Sequence, residues 1–111
     1  MEEFRTPLLV DAGPDENLLD LLDARLAATG DGPLIEVKPP GGTSWTTVGA
    51  REFGDRVAAV ARGFVAHGVA PGDRVGIMSR TRYEWTLLDW AVWTAGAVPV
   101  PVYETSSAEQ V

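Results

Sequence analysis

The chain has no cysteine and a single histidine, His67, in 111 residues. Without cysteine there is no disulfide, no thiolate nucleophile and no thiolate-bound zinc or iron–sulfur centre. One histidine assembles neither a histidine metal site nor a histidine dyad. Nine basic side chains stand against sixteen acidic ones, a net charge of −7. No lysine or arginine cluster exists to neutralise a nucleic-acid backbone, which excludes that class of partner. Long apolar runs are missing as well. The longest uncharged stretch, residues 90–103, contains Pro99 and Pro101 and falls short of the roughly 20 residues of a membrane span. The opening Met1-Glu2-Glu3-Phe4-Arg5 is acidic with no apolar segment behind it, unlike a signal peptide. These absences predict a cytoplasmic protein without a transmembrane segment.

What is present is ordinary for one folded domain: 45% hydrophobic and 23% charged residues. Residues 1–14 read as an N-terminal arm, and residues 15–111 carry the periodic segments. A first helix is capped by Asp15 and ends at Gly30, with Leu18, Leu19, Leu22 and Leu26 at helical spacing. Leu34–Val37 reads as a strand, Pro39-Pro40-Gly41-Gly42 breaks it, and Trp45–Val48 either returns or leads into a helix. The second helix, Arg51–His67, has one stripe of Phe53, Val57, Val60, Ala61 and Phe64. Pro71-Gly72-Asp73 makes a turn before the strand Arg74–Met78, whose lack of alternation suits cover on both faces. A third helix, about Arg82–Ala95, is apolar nearly all round and so predicts burial all round. Ala97–Val102 is extended, and its prolines make it an edge strand or leave its N–H side unpaired. Ser106 and Ser107 precede Glu109 and Gln110 by three, two overlapping capping boxes that open another helix. From that helix start we expect the N-terminal piece of a longer chain, whose missing neighbours cover the third helix.

The alternation predicts an α/β layout with crossovers onto a mainly parallel sheet. Ligands of such sheets lie beyond the carboxyl ends of the strands. That places Ser79-Arg80-Thr81-Arg82 where helix amides and two guanidiniums could hold a phosphate or carboxylate. The plainer reading has Ser79 or Thr81 capping the helix and the arginines solvated or paired with Glu84. His67 is expected to meet free helix carbonyls rather than act as a base. The acidic run Asp11, Asp15, Glu16, Asp20 and Asp23 lacks the glycine that a calcium loop needs, and reads as a solvated face. Gly41-Gly42-Thr43-Ser44 has no lysine and suits a hairpin loop better than a phosphate cradle. Trp85, Trp90 and Trp93 could line an apolar pocket, although core packing is the commoner use of such a stripe. No Gly-x-Ser-x-Gly, dinucleotide fingerprint or Walker loop occurs. We therefore assign no catalytic, cofactor-binding or metal-binding residue.

The order of these segments resembles the N-terminal region of adenylate-forming (AMP-binding) enzymes, over about residues 16–111. The likeness is carried by Trp45–Val48, the helix from Arg51 to His67, Gly68–Ile77 and Trp93–Pro101. Met78–Trp85 and Val102–Ser107 look most like the long-chain fatty acyl-CoA synthetase branch. The family's capping box at the second helix is missing, since Val48 and Ala50 follow Thr47. The resemblance implies the N-terminal βα layer of the adenylate-forming fold, an incomplete mainly parallel sheet flanked by helices. It further implies a fatty acid–CoA ligase as parent enzyme, using ATP, Mg2+ and CoA in lipid metabolism. The fragment alone would be inactive and bind none of the three. Its partner would be the remainder of the adenylation domain. Two alternatives stay open: a non-catalytic α/β interaction module, and another adenylate-forming branch that activates aryl or amino acids.

Overall fold

The computed structural model describes residues 4–7, 9–10 and 13–111. The elements follow in the order α1 (Leu18–Thr29), β1 (Pro33–Val37), β2 (Thr46–Gly49), α2 (Ala50–Ala66), β3 (Arg74–Met78), α3 (Tyr83–Thr94) and β4 (Val98–Val102). This is the α/β order expected from the sequence. The strands form two separate pairs: β1–β2 is antiparallel and β3–β4 parallel. Parallel pairing is thus confined to the β3–α3–β4 unit. The chain returns through residues 38–45 without a crossover helix, so β2 pairs with β1 rather than with β3.

Local chemistry sets each boundary. The cap of α1 is Asn17, not Asp15. Asn17 Oδ1 accepts from Leu19 N–H (2.8 Å), and Asp20 Oδ2 accepts from Asn17 N–H (2.7 Å). Asn17 wins because Asp20 stands at the third helical position and completes a capping box. Helix α2 starts without a side-chain cap. Its first amides donate instead to the carbonyls of Gly32 (Ala50 N–H, 3.0 Å) and Gly30 (Arg51 N–H, 2.8 Å). Helices α2 and α3 end alike. Gly68 and Gly96 adopt φ of +91° and +77°, and the amides of residues 68, 69, 96 and 97 close back onto the helix carbonyls. After β4 the expected helix is a single turn: Gln110 Oε1 accepts from Ser107 N–H (2.9 Å), one leg of the second capping box.

The core lies between α2 and its neighbours. Phe53, Val57, Leu22 and Val48 are buried, with Ile35, Leu87 and Trp90 packed against them. Phe53 meets Tyr83 and Trp90 edge-on, each at 6.3 Å between ring centroids. Further along, Ala61 faces Ala91 and Ala95, small residues that let α2 and α3 approach closely. In α1 only Leu22 is buried; Leu18 points to solvent.

Two burial expectations fail. Helix α3 buries Ala91 and Val92 but leaves Trp85, Leu88 and Trp93 half-covered. Strand β3 is covered on one face: Ile77 is buried, whereas Gly76 and Met78 are exposed. The apolar content of both elements exceeds what the rest of this chain covers. The radius of gyration, 17.2 Å, likewise exceeds the ~13 Å of a compact 100-residue domain. No helix among the described residues is long and apolar enough to cross a membrane.

Phe53→Ala is expected to cost about 3–5 kcal/mol and unfold most of the chain, since Phe53 joins α1, the hairpin and α3. Urea unfolding followed by tryptophan fluorescence checks this; a loss below about 1 kcal/mol contradicts the assignment of Phe53 to the centre.

Candidate functional site

Strand β3 delivers the chain to Ser79, and the loop Ser79–Arg82 leads into α3. An open cleft of about 630 Å³ lies between this loop and the β1–β2 hairpin. Lys38, Trp45, Arg80, Arg82 and Glu84 are among its lining residues. The phosphate- or carboxylate-binding alternative is not the arrangement seen. Arg82 is the N-cap residue of α3 and its side chain does not cap. Neither Ser79 nor Thr81 takes that role; the Ser79 hydroxyl donates to the Arg80 carbonyl (2.9 Å). Both guanidiniums face carboxylates, Arg82 with Glu84 at 2.6 Å and Arg80 with Glu104 at 3.8 Å. The Arg82 hydrogen bond holds the Glu84 carboxyl below its ordinary range. Being half-exposed, such pairs contribute little to stability. The plainer expectation, arginine paired with Glu84, is the one observed.

The other candidates resolve into structural roles. His67 caps α2, its Nδ1 2.8 Å from the Gly63 carbonyl. A carbonyl only accepts, so that nitrogen carries the proton. In the acidic run, Glu16 accepts from Gly13 N–H (2.8 Å) and Asp20 completes the α1 cap, while Asp15 and Asp23 are exposed. Asp11 lies outside the described residues. Among the described residues no three acidic or histidine side chains are grouped to hold a metal ion. The glycine-rich loop is a hydrogen-bonded turn, with Gly42 N–H on the Pro39 carbonyl (2.9 Å) and Gly41 at φ +73°. Trp90 packs in the core against Phe53, and Trp93 against Trp90 at 5.6 Å. Trp93 also lines a small cleft with Leu18, Leu19 and Ala97.

Two polar features of α3 were not singled out from the sequence. Tyr83 Oη accepts from Arg56 Nη1 (3.2 Å), and the Arg56 guanidinium lies 5.7 Å from the Tyr83 ring centroid, fixing the start of α3 to α2. Asp89 sits half-buried one turn from Trp85 and Trp93, and burial pushes its carboxyl upward. The signal for Asp89 was its place as the lone carboxylate inside a run of apolar residues.

A family model described as AMP-binding enzyme matches residues 22–111. The chain belongs to this family. It is 55% identical over 67 residues to a long-chain-fatty-acid–CoA ligase of Mycobacterium tuberculosis, a match covering 60% of this chain and 11% of the ligase. It is 35% identical over 80 residues to an uncharacterized protein of the same organism, covering 72% of this chain and 45% of that protein. A crystal structure from Rhodopseudomonas palustris, assigned as a long-chain-fatty-acid CoA ligase, superposes with a TM-score of 0.74 at 29% identity. That superposition covers 86% of this chain and 23% of the other. This chain therefore spans about a tenth of the mycobacterial ligase it matches. The expected family and its α/β fold are both observed.

Asp89 generates a pH prediction. A carboxyl raised in the folded state destabilises once ionised, so its cost is present at neutral pH and absent below the unfolded carboxylate range. Asp89→Asn is expected to raise the urea midpoint at neutral pH and to give no gain near pH 3. An equal gain at both pH values contradicts the desolvation account.

Proposed function

We propose that this chain is the N-terminal part of an ATP-dependent long-chain fatty acid–CoA ligase, to which it supplies framework rather than catalytic groups. The 55% identity over 67 residues to a ligase of that type carries the reading. In this proposal residues 15–111 are the first part of the adenylation domain, residues 1–14 are an arm, and the enzyme works in the cytoplasm. The complete enzyme would join a fatty acid carboxylate to AMP from Mg·ATP, releasing pyrophosphate. CoA would then displace AMP to form the thioester.

The described residues of this chain do not fit the nucleotide or its metal. No carboxylates are grouped for a cation, the glycine-rich loop is a closed turn without lysine, and Arg80 and Arg82 are engaged by Glu104 and Glu84. The groups for both steps are therefore assigned to the remainder of the adenylation domain, which is the partner proposed here. The half-covered α3 supports an incomplete assembly. A second reading, a small non-catalytic α/β module, is favoured by the uncharacterized mycobacterial relative, 45% of which is the matched stretch.

The test is thioester formation from ATP, Mg2+, palmitate and CoA. The pure chain is expected to give none. Mixed with the M. tuberculosis ligase polypeptide lacking its matched segment, it is expected to restore turnover. Turnover by the chain alone contradicts the proposal, and a soluble, folded mixture without turnover favours the module.

A further inference from the structure

Helix α1, strand β1 and helix α3 leave an apolar cleft of about 320 Å³ where they meet. Buried Leu22 and Phe53 line its inner side, and half-covered Ile35 and Trp90 extend the wall. Leu21 and Leu34, both exposed, stand at its mouth. Two polar side chains complete the lining, Arg25 and Thr86.

Arg25 differs from the other cleft-lining arginines. Arg51, Arg56, Arg80 and Arg82 each face a carboxylate. Among the described residues Arg25 faces none, in a chain with sixteen acidic side chains against nine basic ones. The side chain is nevertheless held in place. Arg25 Nη2 donates to the Pro33 carbonyl (3.0 Å), which ties it to the start of β1. Most of the guanidinium donors stay free, and the Thr86 hydroxyl makes no hydrogen bond among the described residues.

Apolar walls with one anchored cation select a ligand of matching chemistry, an alkyl chain with a single anionic head. The planar guanidinium matches a carboxylate, and one positive charge balances one negative charge. A phosphate monoester would bring roughly two negative charges at neutral pH to a site with one cation. Size sets the chain length. A cavity of ~150 Å³ takes benzene, so by that measure about 320 Å³ takes roughly a dozen non-hydrogen atoms.

We infer that this cleft binds a single-chain aliphatic carboxylate of about ten carbons, its chain against Leu21, Leu34 and Trp90 and its head group on Arg25. The inference does not rest on the ligase reading. In that reading both reaction steps belong to the remainder of the domain, so a carboxylate held here is bound without being activated.

The test is titration of this chain with decanoate below its micellar concentration, followed by amide and methyl NMR shifts. Saturable shifts are expected at Leu21, Leu34, Thr86 and Trp90. Decanol is expected to bind at least about tenfold more weakly, for want of the charged pair, and hexanoate likewise, for want of four methylenes. Arg25→Gln is expected to abolish the preference for decanoate over decanol. Leu21→Glu places a carboxylate one helical turn before Arg25, where it engages the guanidinium. It is expected to keep the unfolding midpoint and to weaken decanoate by at least about tenfold. Because Leu21 is exposed, this variant decides the matter even if Arg25→Gln loosens the hairpin. Decanol binding as tightly as decanoate overturns the inference, as does full decanoate affinity in Leu21→Glu. Shifts confined to other residues, or no saturable binding by the folded chain, overturn it too. The ligase reading stands or falls separately, by the thioester assay.

Discussion

The packing of Phe53 between Tyr83 and Trp90 is the contact on which the other elements depend. It joins α2 to α3, and α3 packs on both strands of the parallel pair. Around Phe53, Leu22 brings in α1, while Val48 and Ile35 bring in the hairpin. Neither two-stranded sheet has stability of its own in water; each is held by its helix. Removing the ring would loosen α1 and the hairpin from α3, while Ala61, Ala91 and Ala95 would still join α2 to α3. Among the described residues the largest fully buried side chains are Phe53, Val57 and Val92.

The second constraint is an excess of apolar surface over the cover available for it. Helix α3 is apolar on almost every side, yet its packing against α2, the sheet and α1 leaves Trp85, Leu88 and Trp93 half-covered. Strand β3 reads as buried on both faces and is buried on one. The excess includes Met78, Val98 and Val100 on one face of the parallel pair, alongside exposed Leu18 and Leu21 of α1, Trp45 beside the hairpin and Val65 of α2. In the proposed reading, the remainder of the adenylation domain covers much of this surface.

Much of the fold was legible because its punctuation is local. Gly68 and Gly96 end their helices, and Pro71-Gly72 turns the chain into β3. The α2 stripe fixes which side is inward, and the two prolines of β4 mark an edge. Less legible was anything that requires a partner chosen at a distance. Asp15 and Asn17 are equally good caps in isolation, and only Asp20 decides between them. The pairing of β2 with β1 follows from the return loop, not from composition. At the Ser79–Arg82 loop the pairing of Arg82 with nearby Glu84 was legible, whereas Glu104, the partner of Arg80, lies beyond β4 where no spacing rule points.

The central claim is that this stretch is the framework end of an acyl-activating enzyme. The coding sequence immediately after Val111 tests it most directly. The account predicts an open frame in which the turn at Ser107–Gln110 continues as a helix, followed by a strand and then a Ser/Thr/Gly-rich loop containing lysine. A natural stop codon at that point would contradict it and leave the non-catalytic module as the better description.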